Sequence, residues 1–316
     1  MSATRRLLAF GAVVAAAACV DIATGPQGVA SVRLLPVPPS IIIGDQLRDS
    51  NGNVVTLRAV AFAENGDTVK DAEFRFTGLP LPRDTTAAQK VVPVVVDSLT
   101  GAVTAISPTI ATRARLAVRL GDRLQVLDTI NIVKKPTRLA RANAGDTTLA
   151  MAFSCSDTGF ARTPVTSPVS DRDTASVGNA LPITVSLTAD STTPTLRSVV
   201  PGYYVRYEIT SPTTIPTTTF RGVTRPALSI ITDPNNDRPT NTDTTESGGS
   251  ATAYLRVLPS GLGPSAFADS LITVKVRATA RTTPKDTVPG PVDFTVRLRR
   301  LSVLGSPLSG PACPTR

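Results

Sequence analysis

"ITVKVRATA", residues 272–280, alternates strictly between apolar and polar side chains. One side of the alternation holds Ile272, Val274, Val276 and Ala278, and the other holds Thr273, Lys275, Arg277 and Thr279. A period of two residues is typical of a strand that is buried on one face of an antiparallel sheet. The stretch therefore predicts a β-strand with a core face and a solvent face.

The same period recurs through both halves of the chain. The predicted strands are "VTLRAVAFA" (55–63), "DAEFRF" (71–76), "ARLAVRL" (114–120), "LPITVSLTA" (181–189), "YYVRYEI" (203–209), "ATAYLRV" (251–257) and "VDFTVRLRR" (292–300). Glycine-containing turns fall between them at "DSNGN" (49–53), "ENGD" (64–67) and "DSLTGAV" (97–103). Because 27 prolines are scattered through the chain and would break most helices, we expect an all-β protein.

The two halves share one order of features. Each has an early alternating strand, an aromatic strand and a later strand of small residues, separated by turns. The apolar phase is interrupted at "VKKPTR" (133–138), as in a linker. We therefore predict two antiparallel β-sandwiches in tandem, over residues 31–135 and 137–316, the second with insertions.

The first half resembles the bacterial immunoglobulin-like domains of the group-two type. The segments that carry the resemblance are "VRLLPVPPSIIIGDQ" (32–46), "DSNGN" (49–53), "AENGDTVKDAEFRF" (63–76) and "DSLTGAVTA" (97–105), with Phe76 where many members have tryptophan. The second half looks like the related group-one type, through "ITVSLTA" (183–189), "PGYYVRYEI" (201–209), "GGSATAYL" (248–255) and "VDFTV" (292–296). The resemblance implies an immunoglobulin-like fold and a surface or envelope protein with a spacer, adhesive or assembly role.

The N-terminus has the features of an export signal. Fourteen apolar or small residues run from Leu7 to Val20 after Arg5 and Arg6, fewer than the roughly 20 that a membrane span needs. Ala16–Ala18 would form a small-residue cleavage site. We expect residues 1–18 to be a cleaved signal helix and residues 19–30 to be a linker; an uncut anchor is the alternative.

Small residues directly before Cys19 resemble the lipobox of bacterial lipoproteins, with Ala16 where leucine is more frequent. The resemblance implies that the Cys19 thiol carries a diacylglyceryl group and that the new N-terminus is acylated. The chain would then be lipid-anchored to the cell envelope, in the outer membrane or at the cell surface. An ordinary secretory signal without a lipid is the second possibility.

Lipidation of Cys19 would leave two cysteines, Cys155 and Cys313. An even pair in an exported protein predicts a disulfide, which would tie the C-terminal tail to the start of the second domain. Two unpaired thiols are the alternative.

The charge of the chain is moderately basic and evenly spread. The net charge is +9, and it becomes +7 when residues 1–18, with Arg5 and Arg6, are removed. Residues 30–136 hold 13 basic and 10 acidic residues, so no concentrated patch is visible along the sequence. Weak attraction to envelope polysaccharide or lipid headgroups fits this composition, whereas nucleic-acid binding would show clustered cations and stacking aromatics.

Catalytic and metal-binding patterns are scarce. The chain has no histidine, which excludes Ser-His-Asp, Cys-His and His-containing zinc sites. Its four glutamates, Glu64, Glu73, Glu208 and Glu246, look like surface charges. Asp233, Asn235 and Asp237 match the first ligands of a calcium loop, but Arg238 and Thr244 replace the glycine and the glutamate that an EF-hand needs. We expect no cofactor and no metal.

The expectation for function is a non-enzymatic surface lipoprotein that presents immunoglobulin-like modules for adhesion, interaction or spacing. Its partners would be the membrane, through the lipid, and an envelope polysaccharide or a surface protein, but not nucleic acid. A carbohydrate-binding accessory module is the runner-up, and a hydrolase with an unrecognised site is third.

Overall fold

A computed structural model describes residues 28–80, 92–106, 113–121, 124–143, 145, 147–153, 176–177, 180–190, 198–220, 222–233, 239–258, 261–262 and 272–300. These residues form strands and turns, and none of them lies in an α-helix. In the described ranges no helix has the length and apolarity to cross a membrane. The predicted signal helix (1–18), most of the linker, Cys19, Cys155 and Cys313 lie outside the described residues.

The first domain is a sandwich built from nine strands. They are β1 Ser31–Leu34, β2 Ser40–Ile42, β3 Ala59–Phe62, β4 Thr68–Val69, β5 Phe74–Leu79, β6 Val94–Val96, β7 Val103–Ala105, β8 Arg113–Leu120 and β9 Leu124–Val133. One layer is the four-stranded sheet β2-β9-β8-β5, and the other consists of the small sheets β1-β3-β4 and β6-β7. The core between them includes Phe76, Leu116 and Ile130.

The second domain repeats the sandwich on a larger scale. Its strands are β10 Arg138–Arg141, β11 Thr148–Phe153, β12 Ser176–Val177, β13 Ala180–Ala189, β14 Ser198–Val199, β15 Tyr204–Ser211, β16 Thr217–Phe220, β17 Val223–Pro226, β18 Leu228–Ile231, β19 Thr242–Thr244, β20 Ser250–Val257, β21 Ile272–Thr279 and β22 Val292–Arg300. The sheet β12-β11-β22-β21-β15-β19 packs on the sheet β10-β13-β20-β18, in which β14 also pairs with β13. β16 and β17 form a separate hairpin.

Both domains divide their first strand between the two sheets. In the first domain β1 pairs antiparallel with β3, and β2 then pairs parallel with the last strand, β9. In the second domain β10 pairs antiparallel with β13, and β11 pairs parallel with the last strand, β22. With the two-sheet arrangement, this repeated topology confirms two immunoglobulin-like sandwiches in tandem.

Parallel pairs depart from the antiparallel sheets that the alternation predicts: β2 with β9 in the first domain, and β11 with both β22 and β12 in the second. The reason is topological, because the first and last strands of such a sandwich run in the same direction when the first strand changes sheets. Alternation reports which face of a strand is buried and carries no information about the direction of its neighbour.

The predicted phases agree with the burial of the long strands. In β21 the side chains of Val274, Val276 and Ala278 are buried, and those of Thr273, Lys275 and Arg277 are exposed. The segment "VTLRAVAFA" is less regular, because β3 covers only its second part. Its first part turns away to pair with the β7 segment, where the Leu57 N–H donates to the Gly101 carbonyl at 2.8 Å.

Candidate functional site: the domain junction and an arginine face

The residues that the sequence singled out do not come together into a chemical site. Asp233 lies exposed shortly after β18, while Asn235 and Asp237 are outside the described residues. The four glutamates are all exposed. Within the described ranges, no three His, Cys, Asp or Glu side chains are grouped as metal ligands.

The two domains share a hydrophobic contact where the chain passes from one to the other. The last register pair of the first domain's parallel strands is Ile42 with Val133, and both side chains belong to the core cluster of the second domain. Ile42 is 7% exposed and Val133 is 4% exposed. The end of the first domain's sheet is thus part of the packing of the second domain.

A hairpin tip of the first domain docks on a turn of the second. Gly52 has a φ of 82°, and a Cβ at this position would lie only 2.5 Å from the carbonyl carbon of Thr283. The turn that receives it is held by the Thr283 hydroxyl, which donates to the Asp286 carboxylate at 3.0 Å and accepts from the Asp286 N–H. Only glycine combines this φ with this approach of two backbones.

A second glycine lies at another close contact between the two domains. A Cβ at Gly202 would lie 2.5 Å from Asn131 Nδ2 and 3.1 Å from the Pro39 carbonyl oxygen. Gly202 belongs to the second domain, whereas Pro39 and Asn131 belong to the first. The two domains therefore approach closely at two places: a methyl group at Gly52 would meet backbone, and one at Gly202 would meet the end of the Asn131 side chain and, less tightly, the Pro39 carbonyl oxygen.

Polar groups line the space between these contacts. Arg48 donates from Nε and Nη2 to the Asp45 carboxylate at 3.0 Å each, and from Nη1 to the Gly52 carbonyl at 2.9 Å. Burial opposes ionisation of Asp45, but hydrogen bonds from Arg48 and from the Gln46 N–H outweigh it and hold the Asp45 pKa below its usual value. The Arg48–Asp45 pair thus braces the hairpin that carries Gly52.

Tyr203 stands on the second domain's side of this junction. It is 9% exposed, and its hydroxyl donates to the Arg281 carbonyl at 2.8 Å. Burial, with a contribution from the Asp45 charge, raises the Tyr203 pKa far above its usual value. A phenol that stays protonated and bonded in this way acts as a structural brace and not as an acid or base.

The four-stranded sheet of the first domain presents an outer face rich in arginine. Arg75 of β5 lies opposite Arg119 of β8, and Arg113 and Arg115 follow on the same face of β8. The outward positions of β5, β8 and β9 carry no carboxylate: they are Arg75, Thr77, Leu79, Arg113, Arg115, Ala117, Arg119, Gln125, Leu127, Thr129 and Asn131. We call the four arginines and the uncharged residues among them the arginine face.

The arginine face has no internal charge partner. Arg75, Arg113 and Arg119 are exposed and Arg115 is half-buried. Toward the rest of the described chain, none of the four guanidinium groups makes a hydrogen bond or ion pair. The nearest carboxylates in sequence are Glu73, two residues before Arg75, and Asp122, which lies outside the described residues; Asp128 of β9 has the opposite phase and pairs with Leu116.

The equivalent face of the second domain holds carboxylates beside one of its cations. Arg277 of β21 lies opposite Asp293 of β22 and binds both carboxylate oxygens, at 2.8 and 3.0 Å. The hydrogen bond from Arg277 lowers the Asp293 pKa. Glu208 of β15 lies opposite Arg277 from the other side.

Sequence reasoning missed the arginine face. A count over residues 30–136 finds basic and acidic residues nearly balanced, because the acidic ones fall mostly in turns, as at Asp49, Asp67 and Asp97. The cations gather only when β5 pairs with β8, which brings Arg75 next to a residue 44 positions away. The i, i+2 spacing of Arg113 and Arg115, with Arg119 in the same phase, was the available signal.

The chain matches no protein-family model, and no characterised protein matches it in sequence. Solved structures similar to it include the adhesin InvE of Yersinia pseudotuberculosis, at 17% identity and TM-score 0.28 over 86% of this chain and 61% of that one. Surface layer protein SbsC, domains 1–6, gives 13% identity and TM-score 0.26 over 88% and 29%. The D00-D0 domain of intimin gives 10% identity and TM-score 0.24 over 85% and 98%.

The chain spans less than two thirds of the InvE and SbsC chains that it matches. TM-scores in this range do not establish a shared overall structure or a shared activity. The assignment of the fold therefore rests on the strand topology described above.

Proposed function

We propose that the chain is a non-enzymatic surface lipoprotein whose two immunoglobulin-like domains form a stiff spacer or adhesive module. The observation that carries the proposal is the junction, where Gly52 and Gly202 allow two close interdomain contacts and Ile42 and Val133 join the second core. Domains linked by flexible linkers alone would not need such contacts. A stiff pair holds whatever it presents at a fixed distance and angle from its attachment point.

A glycine comparison tests the stiffness. Gly52 and Gly66 both follow asparagine in hairpin turns and have φ values of 82° and 85°, but a Cβ at Gly66 would have no neighbour within 4 Å. Gly66→Ala should cost about 1–2 kcal/mol, because an L-residue is strained at positive φ. Gly52→Ala should cost a further ~1–3 kcal/mol, because the new methyl group meets Thr283.

Scanning calorimetry of the full chain is the measurement. The wild type and Gly66→Ala should unfold with the domains coupled in one transition, and Gly52→Ala should separate the transition into two. Equal effects of the two substitutions, or a wild type that already unfolds in two independent steps, would contradict a stiff junction.

The lipid anchor is proposed from the lipobox-like residues before Cys19. Three acyl chains would hold the protein stably, since each buried CH₂ contributes about 0.8 kcal/mol. Mass spectrometry of the membrane-extracted N-terminus should find Cys19 triacylated. An unmodified N-terminus in the soluble fraction would contradict the anchor.

The disulfide between Cys155 and Cys313 is supported by the parallel pairing of β11 and β22. The register pairs Phe153 with Arg300, so the chain segments that lead to the two cysteines leave the sheet at the same end. A disulfide needs Cα atoms about 4.4–6.8 Å apart, and two segments that leave the sheet at the same end can reach this separation. A peptide map without reduction should contain the linked pair, and two free thiols would exclude it.

A further inference from the structure

We propose that the arginine face of the first domain docks on an anionic lipid headgroup surface. The face is one side of a single sheet, on which Arg75 and Arg119 are cross-strand neighbours with Cβ atoms about 4.5–5.5 Å apart, while Arg115 and Arg113 follow along β8. With no charge partner among the described residues, the four cations are available to an external anion.

This arrangement of like charges lowers the stability of the fold, so its presence needs an explanation. Arg75 and Arg119 are directly opposite each other across the β5–β8 pair. Like charges in that position destabilise a sheet. An external anionic surface would remove this repulsion, whereas a purely structural role would favour a carboxylate at one of the two positions, as at Asp293 opposite Arg277.

An apolar side chain within the array favours lipid over an acidic polysaccharide. Leu127 lies in the cross-strand row of Thr77 and Ala117, between the row of Arg75 with Arg119 and the row of Arg115. It is 43% exposed. Apolar residues among cations gain from the boundary between headgroups and acyl chains, which a hydrated polysaccharide lacks.

The position of the first domain also fits a membrane, and this step rests on the proposed anchor. The eleven residues between Cys19 and Ser31 span at most about 40 Å when fully extended. The first domain would therefore stay close to the bilayer that holds the lipid. Cations near an anionic leaflet each strengthen binding by about fivefold.

Vesicle sedimentation of the full chain with Cys19→Ala tests the docking without any thioether-linked lipid. Vesicles of equal parts phosphatidylcholine and phosphatidylglycerol should bind the chain, and pure phosphatidylcholine should bind it much more weakly. Arg75→Gln/Arg115→Gln/Arg119→Gln should lower the partition coefficient by about 100-fold. The matched control, Lys275→Gln/Arg277→Gln/Arg297→Gln, removes the same number of cations from the second domain and should change it by less than about threefold.

Several outcomes would overturn the proposal. Equal losses in the two triple variants would reduce the effect to net charge, and equal binding to both vesicle types would remove the role of the arginines. Binding to soluble polygalacturonate but not to vesicles would assign the face to acidic polysaccharide. Thermal unfolding of each variant checks that the sheet is intact. Because Cys19→Ala removes the lipidation site, and the apolar N-terminal segment is common to all variants, the difference between the two triple variants can be observed even if the N-terminus of the native chain proves unmodified.

Discussion

The outer faces of the two equivalent sheets differ in what their cations bind. In the second domain, Arg277 is held by Asp293 and faces Glu208, so carboxylates lie among the cations of this face, which also include Lys275 and Arg297. In the first domain, Arg75 faces Arg119, and the outward positions of β5, β8 and β9 hold no carboxylate. The same topology thus supports a face that holds carboxylates among its cations and a face whose strands hold none, and the second arrangement favours an external anionic partner.

The first prediction removes the difference between the two faces by placing a carboxylate on the arginine face. Arg119→Glu removes one cation and adds one anion, which would pair with Arg75 across the strands. We expect vesicle partition of the Cys19→Ala chain to fall by about 25-fold, at about fivefold for each unit of charge. Sedimentation with phosphatidylglycerol-containing vesicles measures it, and an unchanged partition would show that the face does not contact lipid.

The second prediction removes carboxylates from the face of the second domain. Glu208→Gln with Asp293→Asn removes both carboxylates that face Arg277, and so leaves this cation without a carboxylate beside it. Vesicle binding should rise by up to about 25-fold, at about fivefold for each unit of charge. Glu64→Gln with Asp67→Asn, at a turn of the first domain, removes equal charge away from either sheet face and is the control. If both double variants bind vesicles equally, the position of the charges on the sheet has no effect on vesicle binding.

The third prediction concerns stability. Arg119→Glu should raise the free energy of unfolding by about 0.5–1 kcal/mol, because it replaces a like-charge pair by an opposite-charge pair. Arg113→Glu lies opposite Asn131 and should give no such gain. Urea denaturation of both variants measures the difference. A destabilised Arg119→Glu chain would mean that Arg75 and Arg119 do not repel each other.

The fourth and smallest effect is the pH dependence contributed by the paired face. The hydrogen bond from Arg277 holds the Asp293 pKa below its usual 3.8. A lowered pKa in the folded state stabilises the fold at pH values above the unfolded pKa, and this contribution is lost as the pH falls through the folded pKa. Arg277→Gln should therefore lose less stability on acidification than the wild type, in unfolding experiments from about pH 5 to pH 2.

Arg75→Gln is the control for the acid experiment, because Arg75 has no carboxylate partner among the described residues. Its loss of stability on acidification should match that of the wild type. If Arg277→Gln also matched the wild type, the Arg277–Asp293 pair would contribute nothing to the pH dependence.

The fold class could be predicted because each strand carries its own evidence. The alternation in β13, β20, β21 and β22 shows which side chains are buried before any neighbour is known. The turn at Gly52 could be predicted in the same way, since asparagine–glycine favours positive φ.

The junction and the arginine face could not be predicted, because both depend on residues far apart in sequence. Gly52 meets Thr283 only after the two domains dock, and Arg75 meets Arg119 only after β5 pairs with β8. The direction of β2 and β11 was missed for the same reason, since a strand's own pattern does not name its partner. The sequence therefore showed which residue types the candidate site contains, but it did not show which of these residues lie next to each other.

Arginine footprinting of the full chain on vesicles tests the difference between the two faces within one molecule. Phenylglyoxal modification is followed by peptide mass spectrometry on phosphatidylglycerol-containing and on pure phosphatidylcholine vesicles. We expect Arg75, Arg113 and Arg119 to be protected only on the anionic vesicles, and Arg297 of the second domain to react equally on both. Equal reactivity of the first-domain arginines on the two vesicle types, or equal protection of both domains, would contradict a docking face on the first domain.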